Sequence, residues 1–228
     1  FIHGPYHLWF LYSLAGLYLL TPILRKAAAD GKTLAYFLIM FAAVNVVTQY
    51  LIYVPKIGGM ISDFIERTGL RVVTGYMGYF MLGYFLYSKK DNMSKKTETA
   101  IYVIGILMLI ATIAAECFIS EELRKTDFVK QYMKPNVILY SAAIYTFFVM
   151  KMSKIHYSER TRKVFAVFTE CGFGVYCIHA ILNEFVPTPV IKSLPFTTSL
   201  LRVACLYALS LALTWLIRKI PFVGKKIT

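Results

Sequence analysis

Between Val164 and Val186 an otherwise apolar run carries Glu170, Tyr176, His179, Asn183 and Glu184. Tyr176, His179 and Asn183 stand at i, i+3 and i+7, which is one face of a helix, and Gly172 and Gly174 let a second helix or a ligand come close. An ionisable group near the middle of a membrane helix costs about 2.5–3.5 kcal/mol by insertion scales, so each needs a partner, a cavity or a task. A histidine alone is ordinarily a satisfied structural residue. With a phenol and a carboxamide on the same face, it equally fits the wall of an internal polar cavity.

Asn45 and Gln49, four residues apart with Thr48 beside them, form a second set. Interhelical hydrogen bonds that glue a bundle explain them, as does contact with a substrate. His7, Trp9 and Tyr18 lie in the opening run, where aromatic residues also form interfacial belts. Tyr76, Tyr79, Phe80, Gly83, Tyr84 and Tyr87 make a stripe at three- and four-residue spacing. Packing or interfacial anchoring is its simplest meaning, and a tunnel wall of hydroxyls is the functional one. Arg71, at the edge of that run, either snorkels to lipid phosphate or neutralises an anionic substrate. Glu170 is expected to pair with Lys163 or Arg162. Cys117, Cys171, Cys177 and Cys205 lie in apolar runs without metal-type pairing, so they read as small buried hydrophobes and no metal site is expected.

The elements that must position these groups follow from composition. Of 228 residues, 58% are apolar and 16% charged, with a net charge of +13, too little polar covering for a water-soluble globule. The basic residues sit in short clusters between apolar runs, the distribution of loops flanking membrane spans rather than of a nucleic-acid surface. Seven runs approach the length that crosses about 30 Å of hydrocarbon: residues 8–24, 34–54, 72–88, 100–119, 136–150, 164–186 and 198–217. The expected fold is all-α, a polytopic helical bundle forming one membrane domain over residues 1–228. The fifth run is short, and Tyr132 and Met133 are expected to extend it unless it tilts little. Lys and Arg divide 16 to 9 between alternate loops, which puts the C-terminus in the cytoplasm and Phe1 outside. An outside start just before a span reads as part of a longer chain, or as one following a cleaved signal peptide. From Lys56 to Arg67, Ile57, Met60, Ile61, Phe64 and Ile65 recur at helical spacing, predicting an amphipathic helix in the outer interface, either a connector or a lid.

The string His7-Leu8-Trp9-Phe10-Leu11-Tyr12, continuing to Tyr18-Leu19-Leu20-Thr21-Pro22, resembles the opening signature of the acyltransferase-3 family of bacterial membrane O-acyltransferases. Gly78–Tyr87 (GYFMLGYFLY), Pro135–Ser141 (PNVILYS) and Cys171–His179 (CGFGVYCIH) are similar to later family segments, in the expected order. Phe10 and Leu14 replace a serine and a glutamate found in many relatives, which brings the chain nearer to the branch resembling enterobacterial surface-antigen O-acetyltransferases and leaves any acidic role at position 14 unfilled. The resemblance implies a ten-span enzyme of the bacterial inner membrane, of which this chain holds the last seven spans. It would move an acetyl or related acyl group from cytoplasmic acetyl-CoA or another acyl-CoA to a hydroxyl of a surface polysaccharide or its lipid-linked precursor. The family's main arginine and histidine motif would lie upstream of Phe1, so the catalytic residues stay unassigned, with His7 and His179 as candidates.

Such chemistry needs a base near the acceptor oxygen and donors for the developing oxyanion, screened from water. His7, Trp9, Tyr18, Tyr176 and His179 are expected to line or support the acceptor site, with Asn45, Gln49, Arg71, Tyr76 and Tyr79 as further substrate contacts. The expected partners are membrane lipid and the glycan or lipid-linked saccharide, not nucleic acid. A transporter or flippase of a polar or lipid-linked substrate is the alternative, and it predicts broken helices and an inverted repeat; a structural or sensory subunit predicts internally paired polar groups without a cavity.

Overall fold

The computed structural model describes residues 8–51, 54–70, 75–121, 128–185 and 195–220. The helices among them are α1 (Trp9–Ala29), α2 (Gly31–Gln49), α3 (Gly58–Thr68), α4 (Tyr76–Lys89), α5 (Lys95–Phe118), α6 (Pro135–Met150), α7 (Glu159–Phe185) and α8 (Pro195–Arg218). No strand occurs among the described residues. The chain divides into two compact units, one of residues 11–155 and one of residues 1–10 with 156–228.

Among the described residues five helical stretches are long and apolar enough to cross a membrane: Gly31–Gln49, Lys95–Phe118, Pro135–Lys154, Glu159–Phe185 and Leu200–Arg218. The first and third expected spans are not among them. α1 has 21 residues, but Pro22, Arg25 and Lys26 interrupt its apolar character. α4 has 14 residues, which at 1.5 Å per residue cover only about 21 Å. The fifth expected span also starts differently: Lys134 is the N-cap and Pro135 opens the helix, so Tyr132 and Met133 do not extend it. Its extra length comes at the other end, through the 3-10 turn Met152–Lys154. Proline fits the first helical turn because its missing N–H would have no partner there.

In the unit of residues 11–155, Leu24 and Ala28 of α1, Leu34 of α2 and Met81 of α4 form a buried cluster with Phe37, Met77 and Phe85 packed around it. Asp30 makes the α1–α2 turn and caps α2, accepting from the amides of Lys32 at 3.4 Å and Thr33 at 3.0 Å. The Thr33 hydroxyl, followed by these amides, holds the Asp30 carboxyl below its usual pKa. α5 and α6 meet where a Cβ on Gly105 would overlap the Ala143 methyl, the small-residue packing by which membrane helices approach. Near that pair's basic end, Glu98 accepts from Lys151 at 2.8 Å and from the Tyr102 hydroxyl at 3.0 Å. On its other side α5 turns Ile106, Leu107, Ile110 and Ile113 outward, as a lipid-facing surface requires.

α3 forms over the expected amphipathic segment, burying Ile65 and leaving Met60 and Phe64 exposed. Gly69, at φ 66, closes it in the left-handed conformation that glycine adopts without a Cβ penalty. In the other unit α7 lies against α8, where Gly174 accommodates the Thr214 side chain and leaves no room for a Cβ. Ser210 and Thr214 are buried there, each hydroxyl returned to a carbonyl of its own helix at 2.8 Å. Cys171 is buried, but Cys117 and Cys205 face outward, contrary to the expectation of four buried thiols; all four are free. An outward thiol on a lipid-facing helix remains in an apolar medium, so hydrophobicity alone does not select its side.

Candidate functional site

In the 156–228 unit, α7 places Tyr176 and His179 one turn apart with ring centroids 5.9 Å from each other. His179 Nδ1 lies 2.7 Å from the Tyr176 carbonyl oxygen and 3.2 Å from that of Val175. Both are pure acceptors, so Nδ1 must carry the proton, and in the neutral ring Nε2 is left with the lone pair of a base. The Phe10 ring stands edge-on to Tyr176 at 6.1 Å, and Trp9 stands edge-on to Phe10 at the same distance. The helix backbone thus fixes both the tautomer and the tilt of the imidazole, while the rings of Phe10 and Trp9 extend its surroundings.

Asn183, on the same face, is exposed, and its carbonyl accepts from Arg202 at 3.3 Å. Glu184 is exposed as well. Glu170 pairs with Arg218 of α8 at 2.6 Å rather than with Lys163 or Arg162. Arg218 also reaches the Cys171 sulfur at 3.7 Å. The partner comes from the neighbouring helix because α7 carries Glu170 on the side packed against α8.

The other candidates gather in the 11–155 unit, around the C-terminal end of α2. Asn45 is fully buried; its Nδ2 donates to the Phe41 carbonyl at 2.8 Å, while its buried Oδ1 accepts no bond among the described residues. Gln49 contributes its backbone: the carbonyl accepts from Lys134 Nζ at 2.7 Å. That ammonium is fully buried, 3.9 Å from the Phe128 ring centroid and 4.7 Å from that of Tyr50. Burial pushes the Lys134 pKa below the usual lysine value.

Beside it Asn136 joins three segments. Its Nδ2 donates to Thr112 Oγ1 at 2.8 Å and to the Val129 carbonyl at 3.0 Å, and its Oδ1 accepts from the Tyr50 hydroxyl at 3.1 Å. Tyr79 donates its hydroxyl to the Tyr132 carbonyl and packs its ring edge-on to Phe41 at 6.2 Å. Tyr76, one turn earlier, is half-buried.

The structure therefore brings Trp9, Tyr176 and His179 together in one unit and Asn45, Gln49, Tyr76 and Tyr79 together in the other. Tyr18 belongs to neither group and is 65% exposed on α1. His7 and Arg71 lie outside the described residues. Sequence reasoning missed Lys134, Asn136 and Tyr50. A lysine before a helix-opening proline looks like any loop charge, although Asn136, inside the PNVILYS segment, offered a signal. Among the described residues no cluster of three or more His, Cys, Asp or Glu could hold a metal ion.

The several helices of membrane length among the described residues define a multi-pass membrane protein. A family model described as an acyltransferase domain matches residues 1–219, and the chain belongs to that acyltransferase-3 family. No match is found among curated proteins or among solved structures.

Proposed function

We propose that this membrane acyltransferase moves an acetyl or related acyl group from acyl-CoA to a hydroxyl of a surface polysaccharide or its lipid-linked precursor. The observation that supports this reading is the His179 Nδ1 contact with the Tyr176 carbonyl, an acceptor that makes Nδ1 the donor and leaves the role of base in a neutral ring to Nε2. In the reaction Nε2 takes the proton of the sugar hydroxyl as that oxygen attacks the thioester carbonyl. The tetrahedral intermediate collapses, the C–S bond breaks, and the departing thiolate of CoA receives the proton from the imidazolium. Tyr176 and Trp9 supply aromatic surface on which a sugar ring can rest.

In this reading α1 and α4 complete seven crossings of the bacterial inner membrane, with the C-terminus in the cytoplasm and the acceptor reached from outside. The positive-inside distribution of Lys and Arg supports that orientation. Lipid and the glycan are the partners. The test follows labelled acetyl-CoA into cell-surface glycan in cells making the full-length protein. Label in the glycan that disappears with His179→Ala supports the proposal. Absence of transfer in the parent, with His179→Ala and His7→Ala indistinguishable from it, favours transport instead.

A further inference from the structure

Beside the close contact of Gly105 with Ala143, α5 and α6 leave a groove of about 540 Å³ between them. Those two small residues are buried and form its floor, while Ile106 and Ile144 line it and are exposed. The groove is therefore continuous with the outward apolar face of α5. Along α6 it runs from Tyr140 to Lys151, which at 1.5 Å per residue is about 16 Å, the depth of one leaflet in about 30 Å of hydrocarbon. Leu109, Phe147 and Phe148 complete its apolar wall, and the Phe147 ring stands edge-on to Tyr102 at 6.5 Å. Charge is confined to the end marked by Tyr102 and Lys151, whose side chains both turn to Glu98. Lys154, on the 3-10 turn after α6, interacts with the same carboxylate, and Lys95 and Lys96 are exposed in the first turn of α5. Four lysines and one glutamate thus share this end; Asp91 interacts with Lys90.

A site that is apolar through the depth of a leaflet and cationic only at its surface end fits an amphiphile with an acyl chain and an anionic head. We infer that the α5–α6 groove holds an acyl chain of an anionic glycerophospholipid, with Lys95, Lys96 and Lys154 taking the headgroup phosphate. Lys151 contributes indirectly: at 2.8 Å it offsets Glu98, which would otherwise repel the phosphate. A zwitterionic lipid fits less well because it brings its own cation to the lysines. A second copy of the chain fits less well too. Two copies related by an axis along the membrane normal would bring their lysine ends together, and like charges facing across an interface oppose association. The inference requires only that α5 and α6 cross the bilayer, and it stands apart from the acyl-transfer reading.

The test uses the full-length protein in detergent micelles containing equal amounts of phosphatidylglycerol and phosphatidylcholine with identical acyl chains. Native mass spectrometry then counts which lipid stays bound. The parent is expected to retain phosphatidylglycerol in preference. Lys154→Gln should lower that preference about fivefold, the effect of one lysine near an anionic headgroup, and replacing Lys95, Lys96 and Lys154 together by Gln should lower it about a hundredfold. Ile144→Trp, which lays an indole across the groove, should reduce retention of both lipids. Equal retention of the two lipids by the parent overturns the inference, as does a preference that neither the triple replacement nor Ile144→Trp alters. A dimeric parent that Ile144→Trp separates without changing lipid retention also overturns it and makes the groove a contact between copies. Should Ile144→Trp fail to assemble, the replacements of the exposed lysines decide alone.

Discussion

The Lys134 ammonium, buried at the head of α6, is tied to the backbone carbonyl of Gln49 at the end of α2, 2.7 Å away. One side chain thereby clasps two helices that are 85 residues apart in the chain. The contact is charge-assisted, and the Tyr50 and Phe128 rings lie close to the ammonium.

Lys134→Ala removes both the bond and the packing of the stem, and an expected loss of about 1.5–3 kcal/mol follows for a hydrogen bond to a charged group. Lys134→Met keeps the stem and is expected to lose less. Thermal unfolding of the detergent-solubilised protein ranks the two; equal losses would mean that the stem's packing contributes nothing.

The same lysine sets a pH dependence. Because burial lowers its pKa from the usual 10.5, the folded protein releases this proton at lower pH than the unfolded chain does. Between the two values the unfolded state binds more protons, so stability rises with pH across that window below 10.5 and the penalty of the buried charge is fully present at lower pH. The difference in melting temperature between the parent and Lys134→Met should shift in favour of the parent as the pH rises towards 10.5. A pH-independent difference would contradict the assignment.

His179→Ala should lower the rate of acyl transfer by about 10²–10⁴, the usual contribution of a positioned base. Tyr176→Phe retains the carbonyl that orients the imidazole and the ring that meets Phe10, so it should keep most of the activity. Steady-state rates on the two variants separate these roles; a Tyr176→Phe defect as deep as that of His179→Ala would place the phenol itself in the chemistry.

Asn45→Leu replaces a buried carboxamide that has an unused acceptor with an apolar side chain of similar size. Such exchanges are near neutral or stabilising when no partner is orphaned, and here the Phe41 carbonyl keeps its place in the helix. The variant should unfold at the same or a higher temperature. If Asn45 serves the substrate, activity falls at the same time, the usual trade between stability and function; unchanged activity would make it structural only.

Gly78→Ala brings a methyl into the Phe41 ring, which packs directly over that glycine. Overpacking of this kind costs about 1–3 kcal/mol. Phe41→Leu, introduced alongside, frees the space and should recover part of the loss. Additive losses in the double variant would show that the ring and the glycine are not coupled.

Much of the fold could be read from the residues because apolar length and helical period are local properties. The run at 100–119 became α5 and the amphipathic spacing after Lys56 became α3. α4 fell short because its helix starts only at Tyr76, and hydropathy does not register where a helix begins. The placement of candidate residues was legible where their spacing lay on one helix, as with Tyr176 and His179, whose ring centroids lie 5.9 Å apart. It was not legible where partners come from distant segments. Nothing around Glu170 indicates Arg218 over Lys163, and nothing around Lys134 indicates the Gln49 carbonyl. Those pairings depend on which helix faces meet, a property of the assembled bundle.

The knuckles at Gly105 against Ala143 and at Gly174 against Thr214 carry one more implication. Between lipid-surrounded helices oiliness draws nothing together, so steric fit at such points determines which surfaces join. Tolerance to substitution should then run opposite to hydropathy: outward positions such as Ile110 and Leu107 exchange freely among greasy residues, while exchanging hydrogen for methyl at 105 or 174 forces the helices apart.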